Sequence, residues 1–140
     1  MRVFTYEHLV HYYETDQMKV VHHSNYIRWM EEARTYLLKE IGWPFDMLEK
    51  NGLISPVVDV NCKYMKSMHY DDVVEVKTHI TEFSGIRLCV AYEFYNKATG
   101  ELCAKGNSSH CFIDPNGRPV IVKKIYPEFH ELLVSLSKED

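Results

Sequence analysis

The sequence predicts an α+β domain in which a curved, mostly antiparallel five-stranded sheet wraps around one long helix. Two features carry that expectation. Apolar residues recur at helical spacing over one long segment, Tyr26 to Ile41, and after Gly52 the apolar period changes from 3.6 to 2. The alternating stretches are separated by short turns such as Ser84-Gly85, too short for a crossover helix, so neighbouring strands must run antiparallel. With 140 residues, 46% of them hydrophobic and 26% charged, residues 1–140 form a single domain that can bury a core without disulfides or metals.

Each element follows from local chemistry. Arg2 to Tyr12 mixes β-branched and aromatic residues and reads as the first strand. The helix repeats apolar residues at Tyr26, Met30, Ala33, Leu37 and Ile41, with Ile27, Trp29 and Leu38 widening the stripe. Ser24 or Asn25 supplies its N-cap, Gly42 stands where a left-handed terminal residue belongs, and Pro44 prevents continuation. A short second helix, Pro44 to Lys50, ends at Asn51-Gly52. Strands are expected over Ser55 to Tyr64, Asp72 to Phe83, Leu88 to Phe94 and Glu101 to Ile113. In the second of these, Val74, Val76 and Ile80 share one face while Glu75, Lys77 and His79 share the other. Asp114-Pro115-Asn116-Gly117 turns the chain, and Pro127 opens a terminal helix carrying Phe129, Leu132, Leu133 and Leu136.

Charge and composition narrow the partners. Sixteen Lys and Arg against twenty Asp and Glu leave a net charge of −4, so there is no basic field for nucleic acid. No stretch approaches the roughly 18 apolar residues of a membrane span, and Met1 to Leu9 has no apolar signal segment, which predicts a cytoplasmic protein. Cys62, Cys89, Cys103 and Cys111 lack a C-x-x-C pair and fall in strand segments, where thiols pack as small hydrophobes. A sheet with open edges calls for a second copy to cover them.

The chemistry concentrates between the first strand and the helix, in Y-Y-E-T-D-Q-M-K-V-V-H-H-S-N-Y from Tyr12 to Tyr26. A loop feeding a helix start presents free backbone N–H groups, here expected from His23 to Tyr26, to a carbonyl oxygen gaining negative charge. Asp16 is the placed carboxylate, with Val20 and Val21 keeping the space partly dry. By local chemistry alone Asp16 reads first as a turn-forming or capping residue, and catalysis is the minority reading. The adjacent His22 and His23 do not aim at one ion, and no metal is expected.

The longer string from Tyr12 to Arg34 adds W-M-E-E-A-R at a fixed offset from E-T-D. It resembles the signature of the 4-hydroxybenzoyl-CoA thioesterase-like branch of hotdog-fold proteins, which includes the Tol-Pal-associated acyl-CoA thioesterases. The resemblance implies hydrolysis of an acyl-CoA thioester without any cofactor, with Asp16 as general base or nucleophile. It implies supporting roles for Tyr12 and His23, the His23 N–H polarising the thioester carbonyl. Substrate contacts are expected from Val21, His22, Ser24 and Tyr26, and CoA phosphates are expected to meet basic residues such as Lys63, Lys66 and Arg87. The same resemblance implies a homodimer or homotetramer with its sites at the subunit interface. Two departures stand out: Lys19 where relatives carry Gly, and Ser67-Met68 where they often carry Pro. A hotdog hydratase or dehydratase, and a non-catalytic acyl-thioester binder, are the competing functions.

Overall fold

The computed structural model describes residues 1–138. Five strands, β1 (Phe4–Leu9), β2 (Val57–Tyr64), β3 (Val73–Phe83), β4 (Arg87–Asn96) and β5 (Leu102–Cys111), form one sheet in the order β1-β3-β4-β5-β2. Every strand pairing is antiparallel, where the sequence promised only a mostly antiparallel sheet. The helices are α1 (Ser24–Glu40), α2 (Phe45–Lys50), α3 (Val122–Ile125) and α4 (Pro127–Lys138).

The long helix lies on the face lined by Val74, Val76, Thr78 and Ile80 of β3 and by Leu88, Val90, Tyr92 and Phe94 of β4, all buried. Its own buried face is Tyr26, Trp29, Met30, Ala33, Leu37 and Leu38. Ile27 is an exception to the predicted stripe: it is exposed, because the helical stagger turns it away from that face. Gly106 of β5 lets the helix approach, since a Cβ there would collide with the end of Met30 and the carbonyl of Asn61. At the far end of α1, Gly42 takes φ +85°. Its N–H bonds Lys39 O at 3.1 Å and the Trp43 N–H bonds Leu38 O at 2.9 Å, closing the helix with the left-handed cap that Gly42 promised. Beyond it, α4 extends the helical layer, Trp43 packing on Phe129 with ring centroids 5.2 Å apart.

Two boundaries differ from expectation for identifiable reasons. The first strand stops at Leu9, not Tyr12, because Tyr12–Glu14 turns into a single 3-10 turn. The Glu14 carboxylate accepts the His11 N–H at 2.8 Å and so draws the chain out of the sheet. The N-cap of α1 is His23, since Ser24 and Asn25 already lie inside the helix.

A polar chain runs beneath α1. Arg34 donates to the Tyr92 hydroxyl at 3.0 Å, which lies 2.6 Å from Ser108 Oγ, which in turn lies 2.8 Å from His110 Nε2. Burial and the Arg34 charge push the His110 imidazole down to about 4. An unfolded histidine titrates near 6.5, so between pH 6.5 and 4 the unfolded chain holds the extra proton. Stability from this group is therefore complete above pH 6.5 and is lost as pH falls towards 4. Urea unfolding at pH 7 and pH 4.5 should show a drop of about 2–3 kcal/mol from His110, absent in His110→Asn.

Candidate active site

Glu14 organises the loop that enters α1. Its backbone oxygen accepts the His22 N–H at 2.9 Å and Asn25 Nδ2 at 2.9 Å, tying the loop to the first turn of the helix. Its buried carboxylate accepts Trp29 Nε1 at 2.8 Å through Oε2 and contacts His8 Nε2 at 2.8 Å through Oε1. Burial pushes this carboxyl up, but the hydrogen bonds from His11, His8 and Trp29 outweigh burial and hold it below its usual range. The sequence reading gave Glu14 no role of its own and placed Trp29 only on the apolar stripe of the helix and among the aromatic residues that fit an acyl group, although both stand in the motif.

Asp16 lies in the turn that follows. Its Oδ1 accepts the Met18 N–H at 2.8 Å, and its backbone oxygen accepts the Lys19 N–H at 2.9 Å. The turn-forming role is therefore present, and it occupies one carboxylate oxygen. Lys19 sits at φ +66°, the left-handed conformation that glycine adopts without strain, so the Lys-for-Gly departure keeps the turn at a conformational cost. The return segment pairs with a distant one: the Val21 N–H bonds Met68 O at 2.8 Å, and Val20 bridges His69. Ser67-Met68 thus forms the wall opposite the loop.

These segments enclose an open groove of about 480 Å³ lined by Asp16, Val21, His23 and Tyr26 on one side and by residues 64–67 on the other. Among the described residues Asp16 is the one carboxylate on that lining. Tyr64 closes the groove over the helix start, donating its hydroxyl to His23 O at 3.1 Å and setting its ring edge-on to Tyr26 at 5.0 Å. Burial pushes the Tyr64 phenol up to about 12 and raises that of Tyr26 too, so both stay neutral near pH 7. Tyr64 and Met65 had no signal in the sequence, because only tertiary pairing brings them to the loop, and Ser67 stood out only as a departure from the family's Pro.

The expected row of free N–H groups reduces to one. The Asn25 N–H bonds His22 O at 3.0 Å, the Tyr26 N–H bonds His23 O at 3.3 Å, and the Ser24 N–H meets His22 Nδ1 at 3.2 Å. Among the described residues only the His23 N–H of that set meets no acceptor.

The other expected site residues divide. Val21, His23, Tyr26 and Lys66 line the groove. Tyr12 does not; it is 76% exposed, its ring edge-on to Tyr70. His22 lies outside the lining but stacks on His23 with ring centroids 4.2 Å apart, and Ser24 Oγ holds His22 Nδ1 at 2.8 Å. Lys63 precedes Tyr64 on β2, and strand alternation turns its side chain to the other face. Lys66 forms an ion pair with Glu101, which raises its ammonium above its usual value. Arg87 starts β4, seven residues before the Phe94 that packs on Tyr26, which puts it roughly 23 Å along the strand from the groove.

Comparison with known proteins now decides the family. Residues 10–133 match the Thioesterase-like superfamily. The chain belongs to that superfamily, and its sheet and helix are the hotdog fold. It is 42% identical over 131 residues to "Putative acyl-CoA thioesterase YneP" of Bacillus subtilis (strain 168), covering 93% of this chain and 94% of that one. It is 35% identical, with a TM-score of 0.91, to the solved DHNA-CoA thioesterase from Staphylococcus aureus, covering 96% of this chain and 90% of that one. Acyl-CoA thioester hydrolase YbgC of Escherichia coli O157:H7 is 29% identical over 87 residues, 62% of this chain and 65% of the relative. The chain is a thioester hydrolase by membership, as the motif at Asp16 led us to expect.

Proposed function

We propose that the protein hydrolyses acyl-CoA thioesters in the groove between the α1 start and residues 64–67. The observation that carries this reading is the meeting, on one groove, of a carboxylate that is the single one there among the described residues and a helix start whose His23 N–H has no acceptor among them. Asp16 acts as general base for water or as nucleophile on the acyl carbon, while the His23 N–H receives the carbonyl oxygen as it gains charge. Val21 and Tyr26 keep the reacting bond from bulk water. His22 and Ser24 hold the His23 ring and the helix start, and Tyr12 supports the loop from outside. Lys66 meets the CoA phosphates at the rim, with Lys63 a second, more distant charge. Neither a metal nor an organic cofactor takes part in this chemistry.

The unit that carries the site is a homodimer, or a homotetramer built from dimers. Edge strand β2 supports this, for it exposes Val57, Val58, Val60 and Tyr64, and among the described residues no strand pairs with its outer edge. Tyr64 belongs to both that strand and the groove, which sets the site beside the subunit boundary. Sedimentation at micromolar concentration should therefore show dimer or tetramer, and a fully active monomer would remove the interface from the site. The protein is cytoplasmic in this reading, where CoA esters are met.

The deciding experiment is thiol release from short, medium, long and aromatic acyl-CoAs. Turnover of one class identifies the acyl group, whereas tight binding without release would leave an acyl-thioester binder.

A further inference from the structure

We propose that His8, His11 and Glu14 form a site for a divalent transition-metal ion, zinc fitting best, which clamps the loop bearing Asp16 and takes no part in hydrolysis. One ligand atom from each of the three lies within 4.8 Å of the others. Glu14 Oε1 stands 3.4 Å from His11 Nδ1 and 2.8 Å from His8 Nε2. A tetrahedral zinc ion with bonds near 2.0–2.1 Å holds its ligand atoms about 3.4 Å apart. The His11 and Glu14 pair already meets that spacing, the His8 ring has to withdraw from Glu14 by about 0.6 Å, and the two imidazole nitrogens close on one ion from within 4.8 Å of each other.

The surroundings match what such a site requires beyond its ligands. His8 Nδ1 lies 3.4 Å from Glu32 Oε1, and the Tyr6 hydroxyl donates to the same Glu32 oxygen at 2.7 Å. Glu32 thus stands behind the His8 ring, in reach of Nδ1, where a carboxylate orients a histidine whose opposite nitrogen faces a metal. The Glu14 carboxylate is fixed from two further directions by the His11 N–H and Trp29 Nε1. His8 and Glu14 are buried while the His11 side chain is 48% exposed, so an ion enters past His11 and solvent completes its coordination. On binding, the metal takes the Nε2 position against Glu14 Oε1 and the neutral His8 ring carries its one proton on Nδ1, towards Glu32.

The consequence is mechanical. Glu14 O holds the His22 N–H and Asn25 Nδ2, so an ion fixing Glu14 to β1 also fixes the entry to α1. The test uses the full chain stripped by a chelator and then titrated with zinc chloride, followed by calorimetry and thermal melting, with cobalt(II) absorption as a coordination probe. One equivalent should bind and raise the melting temperature by about 9 °C at a hundredfold excess over Kd. His11→Ala should weaken zinc binding at least about 10-fold while leaving thioester hydrolysis and the zinc-free melting temperature unchanged. Glu32→Gln, removing the positioning carboxylate, should weaken it by about 10-fold. No saturable binding at micromolar zinc would overturn the site, and so would equal binding by His11→Ala, which would move the metal to the stacked His22 and His23.

Discussion

Asp16→Asn should lower kcat for thioester hydrolysis by at least about 10²-fold while leaving the fold and the assembly intact. The substitution is clean for a structural reason. Asp16 Oδ1 accepts the Met18 N–H, and the asparagine amide oxygen can accept it equally well, so the turn survives. What disappears is the anion, which alone can take a proton from water or attack the acyl carbon. Asp16→Ala would remove both the turn bond and the charge, and its loss could not be assigned to either. Thiol release and circular dichroism on Asp16→Asn separate the two roles. Full activity in a folded variant would leave Asp16 as a turn residue and send the chemistry elsewhere on the groove.

The ease of reading this chain from its residues varies with how local each determinant is. Helix α1 was legible because its stripe, its glycine cap and the following proline all lie within about twenty residues and agree. Strands β3 and β4 were legible because alternation of buried and solvent-facing residues is written directly as period 2. The end of β1 was not, since β-branched and aromatic propensity carries Arg2 to Tyr12 onward while the carboxylate of Glu14 breaks the strand from three residues away. The N-cap moved for a similar reason. Ser24 and Asn25 look like caps, yet the Asn25 side chain is spent on Glu14 O and Ser24 Oγ on His22. Within the site, Asp16 and His23 were accessible because one short loop contains both. The opposite wall was not, because Tyr64 to Ser67 arrive there only when β2 docks against β5 and the segment beyond it pairs with Val20 and Val21.

His23 offers the sharpest division between backbone and side chain. It sits at φ −54° and ψ −30° with no side-chain capping bond, so alanine fits there without disturbing α1. His23→Ala keeps the N–H and loses the stack on His22 and the edge contact with Tyr64, which should cost about 10-fold in kcat through poorer positioning. Proline fits too, because its ring fixes φ near −65° and the N–H it deletes has no acceptor among the described residues. His23→Pro should therefore stay folded yet, if the His23 N–H receives the oxyanion as proposed, fall at least about 10²-fold, close to Asp16→Asn. Measuring kcat for both variants, with circular dichroism as the folding control, distinguishes the two parts of the residue. Equal losses in the two would assign the chemistry to the imidazole, and a far deeper loss in the proline variant assigns it to the helix start.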